Sequence, residues 1–417
     1  MPENFHIDMP EAVRNIIHTI EEHGFKAYAV GGCIRDSILG RNPDDWDITT
    51  SAVPSQIKTF FKRTVDTGIA HGTVTIMIDK TGYEVTTYRI DGEYEDGRHP
   101  KSVEFSDRLV DDLCRRDFTI NAMAYNDTDG FVDEFKGLDD LDTKIIRCVG
   151  EPELRFTEDA LRMMRAIRFS AQLGFTIDEA TWNAIKKLSP SISKISMERV
   201  HVELGKTLMS AHPDYVAQYS EAGLFAPILP VIYNALKSRY KRKILATLQH
   251  TPDNIYLRYA ALFITSTPDE AAKTLRALKL DNKTVNTVSK LVELSKMDIE
   301  ETEPAVRTAL NKYGRDFLPL WHELMMAVIQ ASEDITGISN PAKVKHLLTL
   351  KRLGTDILAR GDCFTIKDLD ISGNDLIEYG LQGHEIGETL KSLLDIVIEN
   401  PKLNDKATLI AMIEHIK

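Results

Sequence analysis

Residues 31–36 read Gly-Gly-Cys-Ile-Arg-Asp, and residues 45–47 follow them as Asp-Trp-Asp. The apolar residues 27–30, Ala-Tyr-Ala-Val, predict a short buried strand, after which the glycine pair lets the backbone turn sharply and approach a ligand closely. On an extended segment, residues two apart share a face, so Asp45 and Asp47 are expected to point the same way. Two close carboxylates repel each other unless a cation lies between them, and oxygen ligands suit Mg²⁺. The stretch therefore predicts a site for phosphate and metal chemistry.

The composition is that of a globular chain with more than one core. Its 417 residues exceed one ordinary domain, and 43% hydrophobic with 27% charged residues is typical of soluble proteins. The four cysteines lie far apart, which argues against a zinc site or a disulfide framework. The net charge of −12 argues against a general nucleic-acid binder, although local basic patches can act within an acidic chain. Residues 1–4 lack a signal-peptide pattern and no apolar run could span a bilayer, so a cytoplasmic location is expected.

The periodicity of the sequence changes near residue 150. Before that point, residues 11–22 predict an amphipathic helix, and the β-branched residues 73–78 and 83–87 predict a hairpin. Residues 91–100 are polar, with two glycines and a proline, and predict a mobile loop. Beyond residue 150, helical periodicity dominates and strand signals nearly vanish. We therefore predict an α+β N-terminal head, with a small mixed sheet and helices, followed by an extended all-helical region.

A third carboxylate and a guanidinium could complete a phosphoryl-transfer site. Two metals roughly 3.5–4 Å apart can activate an attacking hydroxyl and stabilise the leaving oxygen. Glu84, on the second strand of the predicted hairpin, is the best-placed third carboxylate, and Arg116 could bind triphosphate oxygens with its forked guanidinium. The alternatives are a surface Asp-x-Asp turn and a solvated basic turn whose arginines pair with Asp111 and Asp112.

Residues 153–173 predict one helix that carries a stripe of charge. Asp159 and Arg162 are three apart and are expected to share a face, which Arg165 and Arg168 extend. One interpretation is an exposed helix with ion pairs between neighbouring turns. The other is base selection, because a carboxylate beside a guanidinium matches the amine and ring acceptor of cytosine and adenine. Uracil and guanine present a carbonyl and an N–H there, and a buried mismatch is costly, so the pair could accept C and A and reject U and G.

Two basic runs in the C-terminal half are candidates for contact with a nucleic-acid backbone. Residues 237–243 read Lys-Ser-Arg-Tyr-Lys-Arg-Lys, and Tyr240 could stack on a base. A solvated helix start is the alternative interpretation. The second run consists of Lys343, Lys345, Lys351 and Arg352, near His346.

In this order, the motifs resemble those of the bacterial (class II) tRNA nucleotidyltransferases, the CCA-adding enzymes of the DNA polymerase β-like nucleotidyltransferase superfamily. The resemblance covers essentially the whole chain and is strongest over residues 26–210. Residues 31–47 look like the family's motif A, 115–122 like motif B, 133–138 like a degenerate motif C, 158–165 like motif D and 198–206 like motif E.

The resemblance implies a catalytic head at residues 1–150, a neck with the base-selecting helix at 151–212, a helical body at 213–335 and a tRNA-binding helical tail at 336–417. It implies stepwise addition of C, C and A, from CTP and ATP, to tRNA that lacks all or part of its 3′ CCA, with Mg²⁺ and without a nucleic-acid template. The site residues it implies are catalytic and metal-binding Asp45 and Asp47, catalytic Glu84, and nucleotide-binding Gly32, Arg35, Arg116, Asn121, Asp159, Arg162, Arg165 and Arg168.

Local signatures separate the relatives within this family. Residues 67–74 are similar to the CCA-adding form rather than to the Gly-basic-basic-Phe-Arg signature of bacterial poly(A) polymerases. CC-only enzymes tend to lack the loop present at residues 91–98, which favours addition of A as well. Ile264 and Thr265 stand where an HD phosphohydrolase needs a His-Asp pair, so that activity is not expected. A CC-adding, A-adding or poly(A)-adding enzyme is the alternative, as is a non-catalytic tRNA-binding module.

Overall fold

The computed structural model of this chain describes residues 6–92 and 103–416. The chain divides into two compact units, Met1–Pro230 and Val231–Lys417. The first unit holds a mixed β-sheet with helices, and the described part of the second is helical, which confirms the predicted α+β head followed by helices. The finer division at residues 150, 212 and 335 stays a prediction.

The first unit contains all eleven strands that the structure describes. They are β1 (Ala27–Val30), β2 (Ile48–Thr50), β3 (Thr64–Gly68), β4 (Thr73–Ile78), β5 (Thr81–Thr87), β6 (Arg89–Asp91), β7 (Val103–Phe105), β8 (Ala124–Asn126), β9 (Gly130–Val132), β10 (Ile145–Ile146) and β11 (Thr176–Ile177). Its helices are α1 (Glu11–Glu22), α2 (Gly32–Ile38), α3 (Pro54–Phe60), α4 (Leu109–Cys114), α5 (Gly137–Asp142), α6 (Pro152–Glu158), α7 (Leu161–Leu173), α8 (Glu179–Leu188), α9 (Met197–Leu208), α10 (Val216–Glu221) and α11 (Phe225–Ile228).

One seven-stranded sheet, in the order β3-β4-β5-β2-β1-β8-β9, organises the head. At its centre, β1 pairs antiparallel with both β2 and β8, and β2 pairs parallel with β5. All four residues of β1 are buried, because this strand lies in the middle of the sheet and is covered on both faces. The segment that follows β1 is therefore held firmly at the sheet edge where the predicted site begins.

The strongest sequence patterns are confirmed. The predicted first helix is α1, whose buried residues are Val13, Ile16, Ile17 and Ile20, and the predicted hairpin is β4 with β5. Sequence did not predict β3, a largely exposed strand with the polar sequence Thr-Val-Asp-Thr-Gly, which lacks the alternation of a half-buried strand. The predicted loop at residues 91–100 lies almost entirely outside the described residues.

The second unit is a succession of helices. They are α12 (which starts one residue before it, Pro230–Lys237), α13 (Lys241–His250), α14 (Ile255–Leu262), α15 (Pro268–Ala277), α16 (Asn282–Leu294), α17 (Glu303–Tyr313), α18 (Phe317–Thr336), α19 (Pro341–Arg360), α20 (Gly373–Glu378), α21 (His384–Glu399) and α22 (Lys406–Ile416). Among the described residues, none of the helices is both long enough and apolar enough to cross a membrane.

Candidate active site

The two aspartates of the Asp-Trp-Asp stretch lie in the segment that leads into β2, which begins at Ile48. They therefore precede the strand rather than lying within it. Ile48 pairs with Val85 in the parallel register of β2 and β5. One residue further back along both strands, Asp47 comes beside Glu84. The sheet thus brings the predicted third carboxylate next to the predicted pair.

The charges of these carboxylates act on one another. Desolvation raises the pKa of Asp47, an effect that Arg116 opposes and Asp45 reinforces. Desolvation also raises the pKa of Glu84, and the charges of Asp47 and Asp45 raise it further. All three residues remain exposed to solvent. Clustered carboxylate oxygens that disfavour one another's ionised form are the kind of donor set that a divalent cation relieves.

The side-chain positions of these three carboxylates do not by themselves form a metal site. Within residues 6–92 and 103–416, no three His, Cys, Asp or Glu side chains are gathered into a group that could hold a metal ion. The chemistry of the oxygens fits Mg²⁺, which keeps several ligands from water and substrate phosphates. Ligation by Asp45 and Asp47 stays a prediction.

Gly31 makes a close contact with Arg116 beside these carboxylates. Its backbone has φ +86°, and its N–H donates to the Met123 carbonyl at 3.1 Å. A Cβ at this position would lie 2.8 Å from Nη1 of Arg116. The Arg116 Nε is buried and has no hydrogen-bond partner in the described part of the chain. The Arg116 guanidinium thus lies close to the Gly31 backbone and has a buried donor without a partner among the described residues. Such a group fits a role in holding an anionic ligand such as a phosphate.

We expect Gly31→Ala to lower nucleotide addition at least about tenfold. The new Cβ would displace the Arg116 guanidinium, and its proposed charged hydrogen bond to a phosphate would be lost. The strained backbone should also cost about 1–3 kcal/mol of unfolding free energy. Steady-state kinetics and urea unfolding measure the two effects. Gly24→Ala is the matched control, since Gly24 has φ +85° but open space around its Cβ. Equal loss of activity in both variants would contradict the proposed contact with Arg116.

Asp112 holds the two neighbouring arginines of motif B. Its carboxylate is completely buried and pairs with Arg115 at 2.6 Å and with Arg116 at 3.2 Å. Burial by itself would raise the pKa of Asp112, but the two guanidiniums outweigh it and hold the pKa below its usual range. The alternative in which the arginines pair with this acidic segment is therefore confirmed for Asp112, although the pairing is buried rather than solvated.

A series of buried hydrogen bonds links α2 to α7. The Arg35 Nη1 donates to the Asn121 side-chain oxygen at 2.6 Å, and the Asn121 amide donates to Asp117 at 3.1 Å. The opposite oxygen of Asp117 accepts from Arg165 Nε at 2.7 Å. Three residues predicted to bind nucleotide are thus brought together, and their described partners are other side chains of the protein, including Asp36, which pairs with Arg35 at 2.8 Å. Their contact with the triphosphate stays a prediction.

Phe169 on α7 lies among three of the arginines, a feature that the sequence did not single out. The guanidinium carbons of Arg35, Arg165 and Arg168 lie 5.0, 5.3 and 3.8 Å from its ring centroid. Arg168 is buried and donates to Glu203 at 2.5 Å. Cation–π contacts of this kind orient guanidiniums without neutralising them. Arg168 thus contacts Phe169 and Glu203, and its contact with a nucleotide stays a prediction. The spacing of the arginines along the sequence does not reveal this shared aromatic partner.

We expect Asp117→Asn to lower the unfolding free energy by about 3–5 kcal/mol at neutral pH, because Arg165 loses the charge that compensates its burial. Burial would raise the pKa of Asp117, but Arg165 and Asn121 outweigh it and hold the pKa at about 2. The stabilisation is thus complete above the unfolded pKa and is lost as pH falls towards the folded value. Urea titrations should show the gap to wild type narrowing below about pH 5.

The matched control is Asp139→Asn, which removes an exposed carboxylate from α5. This variant should unfold at the wild-type urea concentration across the whole pH range. A gap for Asp117→Asn that stays constant down to pH 3 would show that its cost comes from shape rather than from charge.

The predicted single helix over residues 153–173 is wrong. Helix α6 ends at Glu158, Asp159 has the extended angles φ −143° and ψ 104°, and α7 begins at Leu161. The Asp159 Oδ1 accepts the N–H of Leu161 at 3.0 Å, so the carboxylate satisfies a donor at the start of α7. A sequence without proline or glycine at this point gave no signal of the break.

Asp159 and Arg162 are held by different partners. Asp159 pairs with both terminal nitrogens of Arg199 from α9, at 2.6 and 3.3 Å. The Arg162 guanidinium pairs with Glu158 and donates to the backbone carbonyls of Arg155 at 3.1 Å and Arg115 at 3.0 Å. Each member is thus fixed in place at the break between α6 and α7, and their joint role in reading a base stays a prediction.

The two basic runs meet in the second unit. Lys243 of α13 and Lys343 of α19 line one cavity of about 310 Å³, together with apolar residues of α18 such as Met325 and Ile329. The face of Tyr240 is covered in part by Arg239, whose guanidinium carbon lies 4.9 Å from the ring centroid. Contact of these runs with a nucleic-acid backbone stays a prediction.

Models of known families match three successive parts of the chain. Residues 27–147 match the "Poly A polymerase head domain", and residues 174–236 match the "Probable RNA and SrmB- binding site of polymerase A". Residues 256–413 match "tRNA nucleotidyltransferase domain 2". The fold and these matches define the class as a nucleotidyltransferase with a poly(A) polymerase-type head.

Relatives of similar length show which family of nucleotidyltransferases the chain resembles. The CCA-adding enzyme of Pediococcus pentosaceus is 34% identical over 98% of each chain, and that of Limosilactobacillus fermentum is 37% identical over 96% of this chain and 95% of its own. The solved Bacillus stearothermophilus CCA-adding enzyme in complex with CTP is 32% identical, with a TM-score of 0.75 over 97% of this chain and 96% of its own. The chain therefore belongs to the CCA-adding enzyme family, as the motifs predict.

Proposed function

We propose that this chain adds C, C and A to the 3′ end of tRNA that lacks all or part of these residues, using CTP and ATP and no nucleic-acid template. The observation that carries the proposal is the β2–β5 register, which sets Asp47 beside Glu84 at the end of β1 where Gly31 meets Arg116. Carboxylates and a guanidinium at one sheet edge are the groups that phosphoryl transfer requires. Relatives of full length that are named CCA-adding enzymes support the choice of reaction.

In the proposed step, the terminal 3′ hydroxyl of the tRNA attacks the α-phosphate of the nucleotide. A bond forms between O3′ and the α-phosphorus, the bond to the β-phosphate oxygen breaks, and pyrophosphate leaves. Asp45 and Asp47 would hold Mg²⁺, with Glu84 as a further carboxylate. When bound, Mg²⁺ would neutralise the phosphates and favour the ionised form of the attacking hydroxyl.

The chain's own side chains bind and orient the nucleotide in this proposal. Arg116 would hold triphosphate oxygens through the donors that lie beside Gly31, and Nη2 of Arg35 lies 3.7 Å from the Cβ position of Gly32. Arg35 and Asn121 would support that contact through the buried chain of hydrogen bonds that ends at Asp117. Asp159 and Arg162 would read the base, with Arg165 and Arg168 behind them.

The test is addition of each nucleotide separately to a labelled tRNA that lacks its 3′ end, with Mg²⁺ present. CTP alone should add two residues, ATP should add one residue only to tRNA ending in CC, and UTP and GTP should add none. Arrest after CC with both nucleotides present would indicate a CC-adding enzyme, and a run of A would indicate a poly(A) polymerase. Binding of tRNA without any addition would indicate a non-catalytic module.

A further inference from the structure

Arg199 lies outside the predicted site residues and makes a forked contact with one of them, Asp159. It is the third residue of α9, and its guanidinium reaches across to the break between α6 and α7. Nη2 lies 2.6 Å from Oδ2 of Asp159, and Nη1 lies 3.3 Å from Oδ1. The two side chains retain only 22% and 15% of their exposure, so the pair is largely removed from water. A forked contact of this kind fixes both the position and the plane of a carboxylate.

The contact leaves Asp159 with a defined capacity for one more hydrogen bond. An ionised carboxylate has about four acceptor positions and cannot donate. In the described part of the chain, Arg199 fills two of them and the N–H of Leu161 fills a third. One position then remains, on Oδ2. A nucleobase with an exocyclic amine offers one hydrogen there, whereas a carbonyl offers only another acceptor.

We propose that Arg199 is a positioning residue that acts through Asp159 and makes selection of amine-bearing bases possible. Its role rests on the proposed function. Arg199 holds the Asp159 carboxylate in one orientation before the nucleotide binds. Binding the amine of cytosine or adenine then carries no further entropy cost for ordering the Asp159 side chain. A carbonyl of uracil or guanine would face the Asp159 carboxylate, which is also an acceptor and is held in place by Arg199. Both acceptors would then be buried without a hydrogen-bond donor, which weakens binding of these bases.

The geometry also separates Arg199 from the hydrogen-bonded residues that would support the contact with the triphosphate. Arg35 and Arg165 belong to the chain of contacts through Asn121 and Asp117, whereas the described contacts of the Arg199 side chain are with Asp159. Loss of the Arg199 fork should therefore raise the KM for CTP and ATP and leave the KM for tRNA unchanged. A purely structural role for Arg199 in α9 would instead lower kcat with all four nucleotides alike.

The experiment compares Arg199→Gln, Arg199→Lys and the control Lys206→Gln in the full-length protein. Lys206 is an exposed cation on the same helix, so its replacement removes the same charge. Arg199→Gln should lower the ratio of kcat/KM for CTP to that for UTP at least about tenfold, the value of one charged hydrogen bond. Arg199→Lys should restore part of the ratio, because lysine keeps the charge but not the fork. Lys206→Gln should leave the ratio unchanged.

A double-mutant cycle shows whether Arg199 acts through Asp159. In an Asp159→Asn background, Arg199→Gln should change the nucleotide ratio by less than about twofold, since coupled residues are not additive. A full, additive effect in that background, or an unchanged ratio in Arg199→Gln alone, would overturn the proposal. A wild-type protein that adds no nucleotide would overturn the proposed function instead, so the two failures are distinguishable.

Discussion

Asp45→Ala and Asp47→Ala are each expected to reduce nucleotide addition by at least about a thousandfold, because a metal-binding carboxylate supplies several kcal/mol to phosphoryl transfer. The structure supports this expectation more strongly for Asp47 than for Asp45. The hydrogen bond from the Val30 N–H to its backbone oxygen, at 3.0 Å, fixes it at the sheet edge. The parallel register then brings it beside Glu84. Single-turnover addition of CMP to a truncated tRNA measures the effect.

Binding of tRNA should survive both substitutions. The two aspartates are exposed, so their removal should leave no cavity in the core of the head. Asp44→Ala is the matched control, since Asp44 is an exposed carboxylate in the same segment. This variant should keep nearly full activity. Appreciable nucleotide addition by the Asp45→Ala, Asp47→Ala double variant would overturn the metal-binding assignment.

Metal dependence gives the same prediction a second measurement. If Asp45 and Asp47 hold Mg²⁺, binding of the ion stabilises the folded protein in proportion to its affinity, by mass action. The thermal unfolding midpoint of the wild type should then rise with Mg²⁺ concentration, and that of the double variant should not. Glu84→Gln should show an intermediate response, since Glu84 is placed as the third carboxylate. Equal Mg²⁺ responses in all these proteins would place the ion elsewhere.

The parts of the fold that sequence predicts well are those with one dominant physical signal. The amphipathic spacing of α1 and the β-branched runs of β4 and β5 each require burial of one face, and each appears where the sequence predicts it. The edge strand β3 has no such requirement, since its residues are mostly exposed and its pairing depends on β4 being present. The local sequence of β3 therefore does not show that this segment forms a strand.

The residues of the candidate site fall into the same two groups, those that a local pattern predicts and those that depend on packing. The aspartates and Arg116 were predicted from local motifs, because short-range spacing sets their chemistry. Partners that come from distant elements, such as Arg199 for Asp159 and Phe169 for Arg35, depend on how α9 and α7 pack. The helix break at Asp159 belongs to this second group, because the forked contact with Arg199 stabilises an extended residue that has no helix-breaking side chain.

Asp159→Asn is expected to relax selection among the four nucleotides by roughly tenfold to a hundredfold, which corresponds to about 1.4–2.7 kcal/mol of buried hydrogen bonding. The asparagine amide can present either an oxygen or an NH₂ group, so it can pair with the amine of cytosine or with the carbonyl of uracil. Arg162→Gln should relax selection on the ring-acceptor side, because a single amide replaces the forked donors of the guanidinium. Single-turnover rates with each nucleotide on a truncated tRNA give the four ratios.

The control for base reading is Glu179→Gln, which removes an exposed carboxylate from the nearby helix α8. It should keep the wild-type order of C and A over U and G. The Mg²⁺ dependence of Asp159→Asn should also match that of the wild type, since the Asp159 carboxylate pairs with Arg199 of α9 rather than with the carboxylates beside β2. Unchanged nucleotide ratios in both Asp159→Asn and Arg162→Gln would reject base reading by these residues. Selection would then have to come from the shape of the pocket, which discriminates a base by size rather than by its hydrogen-bonding edge.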